Sequence, residues 1–240
     1  MPYLRFDRSR LALRPLAERT HDYGVASLAN LNDPLPDYAD DRLTKLAEQI
    51  ATARLCGSAV ILLMGAHLIK YGLSRYIIDM LRAGAISCLG INGAGAIHDY
   101  ELSLIGATSE SVARYIRQGE FGLWRETGRL NDLARLAASE GIGLGEMIGR
   151  TIWEERLPHR DISILGWAYH REVPVTVHVG IGSDIVHEHP NCDGAAWGAA
   201  SYTDFLVLAE QVRHLEGGVL LNVGTAVMGP EVYLKALSMA

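Results

Sequence analysis

The chain has 240 residues, 49% hydrophobic and 21% charged, with 25 glycines, a balance typical of globular proteins that excludes disordered and fibrous classes. Its 22 basic and 28 acidic residues leave a formal net charge of −6, and lysine is confined to Lys45, Lys70 and Lys235, so no basic run exists to bind nucleic acid. The odd cysteines Cys56, Cys88 and Cys192 form no CxxC pair, which argues against a disulfide framework or a zinc ribbon and for a reducing, cytoplasmic setting. The arginine-interrupted N-terminus lacks the apolar core of a signal peptide, and the longest apolar run, Ser58 to Ala66, falls short of the ~20 residues of a membrane span.

Residues 1–37 mix arginines with Pro2, Pro15, Pro34 and Pro36 and read as an irregular arm with at most one short helix. Residues 38–240 read as a single α/β domain. Leu43, Leu46, Ala47, Ile50, Ala51 and Ala53 recur at helical spacing before Gly57, and a continuous apolar run over 59–64 has the pattern of a strand covered on both faces. The alternation continues with a helix over 69–83 stopped by Gly84, a strand over 85–91 and a helix over 97–105 opening after glycines. Helices over 109–117 and 130–153 follow, the second interrupted by Gly141, Gly143, Gly145 and Gly149. A helix over 162–171, a strand over 175–179, a helix over 195–215, a strand over 219–223 and a helix over 230–240 complete the chain. Strands alternating with helices predict a mainly parallel, Rossmann-like sheet with helices on both faces.

Such a sheet presents ligands at the carboxyl ends of its strands. The loop from Asn92 to Glu101 carries Gly93-x-Gly95 but has His98 where the third glycine of a dinucleotide fingerprint belongs, so it is either a phosphate site or a plain tight turn. His98, Asp99 and Glu101 add an imidazole and two carboxylates at that helix start, where the acids also suit the helix dipole. The stretch from Val177 to Asp193 is the densest in chemistry, with three of the nine histidines beside three carboxylates. His187, His189 and Asp184 or Asp193 suit either a divalent metal or a polar organic ligand, whereas His178 within a strand reads as a core histidine. Lys70 follows the first strand's loop and reads as a snorkelling surface lysine or, if buried, an amine nucleophile.

These segments, GAHLIKYGLSRYIIDMLRAGAI, INGAGAIHDYELSLIGATSE and VHVGIGSDIVHEHPNCDGAA through LLNVGTAVMGPEVYLKAL, resemble the deoxyhypusine synthase-like group of NAD-binding proteins, chiefly its bacterial branch, over roughly 58–240. The resemblance implies that Asn92, Gly93, Ala94, Gly95, His98, Asp99 and Glu101 lie near NAD, with Gly224 and Thr225 in a second glycine-rich cofactor loop. It implies a transferase-like reaction on an amine or polyamine, with Asp184, His187 and His189 binding the amine and moving protons. The family's catalytic lysine would lie beyond the last matched segment, so either the natural chain continues past Ala240 or that chemistry is absent. Two other readings stand beside this one: a metal-dependent hydrolase built on the 184–193 cluster, and a non-catalytic binding protein. The apolar last helix and the family's shared sites imply a homodimer or homotetramer.

Overall fold

The computed structural model describes residues 3–34 and 37–240; Pro2 and Pro36 of the expected arm lie outside the described residues. The arm opens with single 3-10 turns over Arg8–Arg10 and Leu16–Glu18, passes through the two-residue strand β1 (Tyr23–Gly24), and turns again over Val25–Ser27. Helix α1 (Asp41–Leu55) is capped by the Asp40 carboxylate, which accepts from the Arg42 amide, and stops before Gly57, whose φ of 77° needs glycine. Strand β2 (Val60–Met64) is buried along its whole length, as the unbroken apolar run predicts.

The helix expected over 69–83 is two helices, α2 (His67–Lys70) and α3 (Ser74–Arg82). Gly72 separates them with a φ of 80°, and a Cβ there would stand 2.4 Å from the carbonyl oxygen of Ser27, where the arm crosses. Strand β3 (Cys88–Asn92) leads directly into α4 (Gly93–Ile105), so the glycines form the first turn of the helix rather than a loop before it. Then come β4 (Ala107–Thr108), α5 (Val112–Gln118), α6 (Arg129–Glu140) and α7 (Leu144–Glu154). The long helix expected over 130–153 breaks at Gly141, with φ 70°. Helix α8 (Ile164–His170), strand β5 (Val175–His178), helix α9 (Gly194–Val212), strand β6 (Val219–Val223) and helix α10 (Met228–Met239) complete the fold.

The main sheet is four-stranded and parallel, in the order β5-β3-β2-β6. The chain builds outward from β2 through β3 to β5, then returns to place β6 on the other side of β2. Strand order therefore reverses between β2 and β6, and right-handed crossovers send the helices before and after that reversal to opposite faces. Leu62, Met64, Leu89, Ile91, Val175 and Val177 face the larger core with α3, α4, α6, α7 and α8. Ile61, Leu63 and Cys88 face the smaller one with α9 and α10.

The arm is less irregular than its composition suggests. β1 pairs antiparallel with β4, matching Tyr23 to Thr108, and Leu16 is wholly buried beside Tyr115 and Trp124. α7 begins at a glycine and has no capping side chain of its own. Asp204, in the middle of α9, supplies the cap: its Oδ2 accepts from the amides of Gly145 at 3.0 Å and Val177 at 2.9 Å, tying helix to strand.

Candidate functional site

Where α4 leaves β3, a cavity of about 220 Å³ opens against one stripe of the helix, formed by Ala94, Ile97, His98 and Glu101. The spacing of three, one and three residues puts these side chains on one face. The opposite wall is Ser183, Asp184 and Ile185 from the loop after β5. Arg19 of the arm, Lys70 at the end of α2, and Ser109, Glu110 and Phe121 beyond β4 close the remaining sides.

Asp184 owes its position to the turn before it. Gly182 adopts a φ of 93°, the Ser183 hydroxyl donates to the Gly180 carbonyl at 2.6 Å, and His187 Nδ1 accepts from the amides of Gly182 and Asp184, both at 3.2 Å. The carboxyl then packs onto Gly93: a Cβ on that glycine would lie 2.1 Å from Asp184 Oδ2. Oδ2 is buried and has no hydrogen-bond partner among the described residues. Burial pushes the Asp184 carboxyl up to about 6.

The other sequence-predicted residues divide sharply. His98 and Glu101 reach the cavity. Asp99, one turn position away, points oppositely and is fully buried: its carboxylate accepts from the Ser163 hydroxyl at 2.5 Å and from the amides of Ile164 and Leu165 at 2.8 and 3.1 Å, capping α8. Burial raises it to about 6 against those hydrogen bonds. Asn92 caps α4, its side-chain oxygen accepting from the Gly95 amide at 3.0 Å. Gly95 packs on Ile91, and Ala94 lines the cavity.

His187 shapes the Asp184 turn, with its ring edge-on to Trp197 at 5.0 Å and burial lowering its pKa. His189 is wholly buried away from the cavity and donates from Nε2 to the Gly122 carbonyl at 2.7 Å. His178 is a core histidine in contact with Thr176, and burial pushes it down to about 4. Among the described residues no three His, Cys, Asp or Glu side chains gather to hold a metal ion, so the 184–193 stretch offers no ligand set for the hydrolase reading.

Gly224 and Thr225 lie at the carboxyl end of β6, apart from the cavity. Gly224 has φ 70°, and a Cβ on Gly65, after β2, would stand 1.9 Å from its carbonyl oxygen. Thr225 Oγ1 accepts from the Gly229 amide at 2.9 Å and caps α10. Arg19, Ser109, Glu110 and Phe121 were not among the sequence candidates. Neither Glu110 nor Arg19 stands in a motif that could have marked it.

No family model matches the chain, and no curated protein matches it. Solved structures do. ArgZ, an arginine dihydrolase of the cyanobacterial ornithine-ammonia cycle, superposes with a TM-score of 0.50 at 14% identity, over 82% of this chain and 26% of its own. Unliganded AgrE gives a TM-score of 0.50 at 16% identity, over 85% and 27%. A proposed deoxyhypusine synthase from Entamoeba histolytica gives 0.38 at 12% identity, over 75% and 55%, too distant to carry an argument. The chain thus spans about a quarter of the length of ArgZ and AgrE, and the likeness is one of fold. Among the described residues no helix is long and apolar enough to cross a membrane.

Proposed function

We propose that the chain is the core of an NAD-dependent, transferase-like enzyme acting on a small amine. The observation that carries the amine is Asp184, a carboxyl held in a cavity by its neighbours with one oxygen buried and unpartnered. A protonated amine in the cavity supplies the opposite charge, and its arrival favours the ionised carboxylate. At about 220 Å³ the cavity is below the ~300 Å³ at which ligand pockets usually begin, so it suits a compact amine and not a whole dinucleotide.

In this reading NAD has a different place. Ligands of open α/β sheets bind beside the strand-order reversal, here at the carboxyl ends of β2 and β6. The exposed loop there turns through Gly224, and the amides of Ala226 and Val227 have no hydrogen-bond partner among the described residues, which suits a diphosphate. The N-terminus of α4 suits it less, because the Asp184 carboxylate already lies against Gly93. In this reading Gly224 and Thr225 hold the cofactor, while Asn92, Gly93, Ala94 and Gly95 shape the floor of the amine site. Held there, NAD would supply a hydride acceptor for a carbon that bears a deprotonated amine, the chemistry that opens a carbon–nitrogen bond to exchange. Asp184 pairs with an ammonium of the substrate and so positions it, and the walls limit water around it.

The test is a fluorescence titration with NADH and calorimetry with 1,4-diaminobutane. The native chain binds both, Asp184→Asn keeps NADH and loses the diamine, and absence of NADH binding to the native chain refutes the cofactor half. We also propose a homodimer or dimer of dimers: Val227, Leu234, Leu237 and Met239 around α10 are each about half exposed or more. A monomer mass by light scattering removes that part.

A further inference from the structure

Glu101 is fully buried and accepts four hydrogen bonds. The Arg19 guanidinium supplies two, at 2.9 and 2.6 Å, the Thr127 hydroxyl one to Oε1 at 2.7 Å, and the Thr108 hydroxyl one to Oε2 at 2.6 Å. Burial alone would raise this carboxyl, but Arg19 and the two hydroxyls hold it below the usual range, so it is ionised. An ionised carboxylate only accepts, and the single Thr108 proton therefore lies on the Glu101 side. The same Thr108 oxygen is 2.7 Å from His98 Nδ1.

With its proton committed, that oxygen can only accept from the imidazole. Nδ1 must carry the hydrogen, and Nε2 is left with a lone pair; the tautomer is assigned from this network. Nε2 has no partner among the described residues, is not a buried orphan atom, and belongs to a side chain that lines the cavity. Burial pushes His98 down to about 4; Glu101 opposes this, and Lys70, Arg19 and His67 reinforce it, so the ring stays neutral through the physiological range. Three of the five Arg19 N–H donors go to Glu101 and, through Nε, to His21 at 3.1 Å, and its almost fully buried side chain keeps the rest from a ligand.

We infer that His98 is a specificity-determining residue of the amine cavity, held by the Arg19–Glu101–Thr108 chain as a pure acceptor that selects a ligand bearing N–H donors. This rests on the amine reading above and sharpens it. Asp184 by itself attracts any cation, including a quaternary ammonium with no N–H. A lone pair on the α4 wall adds a requirement that charge alone does not meet. Thr108 and Glu101 act only through His98 and are positioning residues.

The experiment uses the full chain as wild type, Thr108→Val and Thr108→Ser. Nitrogen-15 NMR reads the His98 tautomer, and calorimetry compares 1,4-diaminobutane with its fully methylated, doubly quaternary analogue. We expect wild-type His98 to be the Nδ1–H tautomer and the primary diamine to bind at least tenfold tighter than the quaternary analogue. Thr108→Val, close in shape, releases the tautomer and cuts that preference by about tenfold, the worth of one hydrogen bond. Thr108→Ser restores both. An Nε2–H tautomer in the wild type overturns the inference without any variant having to fold, and so does an unchanged preference in Thr108→Val. If the tautomer is Nδ1–H but neither compound binds, the amine reading fails and the ligand role of His98 falls with it.

Discussion

An Asp184→Asn chain should be more stable than the native one at neutral pH and unable to hold an amine. The carboxyl titrates at about 6 in the fold against 3.8 in the unfolded chain. A group whose folded pKa is raised favours folding in its protonated form; that contribution is complete below 3.8 and is lost as pH climbs through 6. The gap of about two pH units corresponds to about 3 kcal/mol at most, and because the carboxyl is partly open to the cavity, roughly 1–2 kcal/mol is the better figure. Asparagine imitates the neutral carboxyl at every pH. Scanning calorimetry should therefore give equal stabilities at about pH 4, a gap opening between about pH 4 and 6, and a constant advantage for the variant above about pH 7, worth roughly 2–8 °C in Tm. Only the difference between the two proteins is diagnostic, since Asp99 titrates in the same range in both. A pH-independent gap, or a variant less stable at neutral pH, refutes the claim that this carboxyl is held under strain for a ligand.

Removing the remote cap by Asp204→Ala leaves the amides of Gly145 and Val177 buried without an acceptor and should cost roughly 2–4 kcal/mol in urea unfolding. Arg19→Met strands the buried Glu101 charge and should cost roughly 3–5 kcal/mol, much of it recovered in the Arg19→Met, Glu101→Gln double variant. Gly93→Ala puts a methyl 2.1 Å from Asp184 Oδ2 and should displace the carboxyl, weakening 1,4-diaminobutane binding at least tenfold by calorimetry while the far-UV spectrum stays native.

The centre of the sheet was legible because β2 is buried along its whole length and β3 along most of its own, so the runs read at 59–64 and 85–91 announce themselves. Breaks imposed from a distance were not. Gly72 is plain in the sequence, but what splits the helix is the arm backbone at Ser27. The candidate site was half legible for the same reason. Asp99 and Glu101 look equivalent in the sequence, yet two residues on a helix is about 200°, so one caps α8 and the other meets Arg19. His187 and His189 look like a ligand pair, but the 3-10 turn over Ile185–Glu188 sends one to the Asp184 turn and the other to Gly122. Arg19 lies in a segment without periodicity, and only the packing of Leu16 beside it fixes where it goes.

An ammonium should pair with the Asp184 carboxylate, and proton-linked titration calorimetry tests this pairing most directly. A carboxyl at about 6 is roughly nine-tenths protonated at pH ~5, so an ammonium that demands the ionised form must expel that proton. Titrating 1,4-diaminobutane in two buffers of different ionisation enthalpy should show about 0.9 proton released per diamine at pH ~5, almost none at pH ~8, and none at either pH in Asp184→Asn. Diamine binding without proton release at pH ~5, or with the same release in the variant, would place the amine elsewhere and contradict the account.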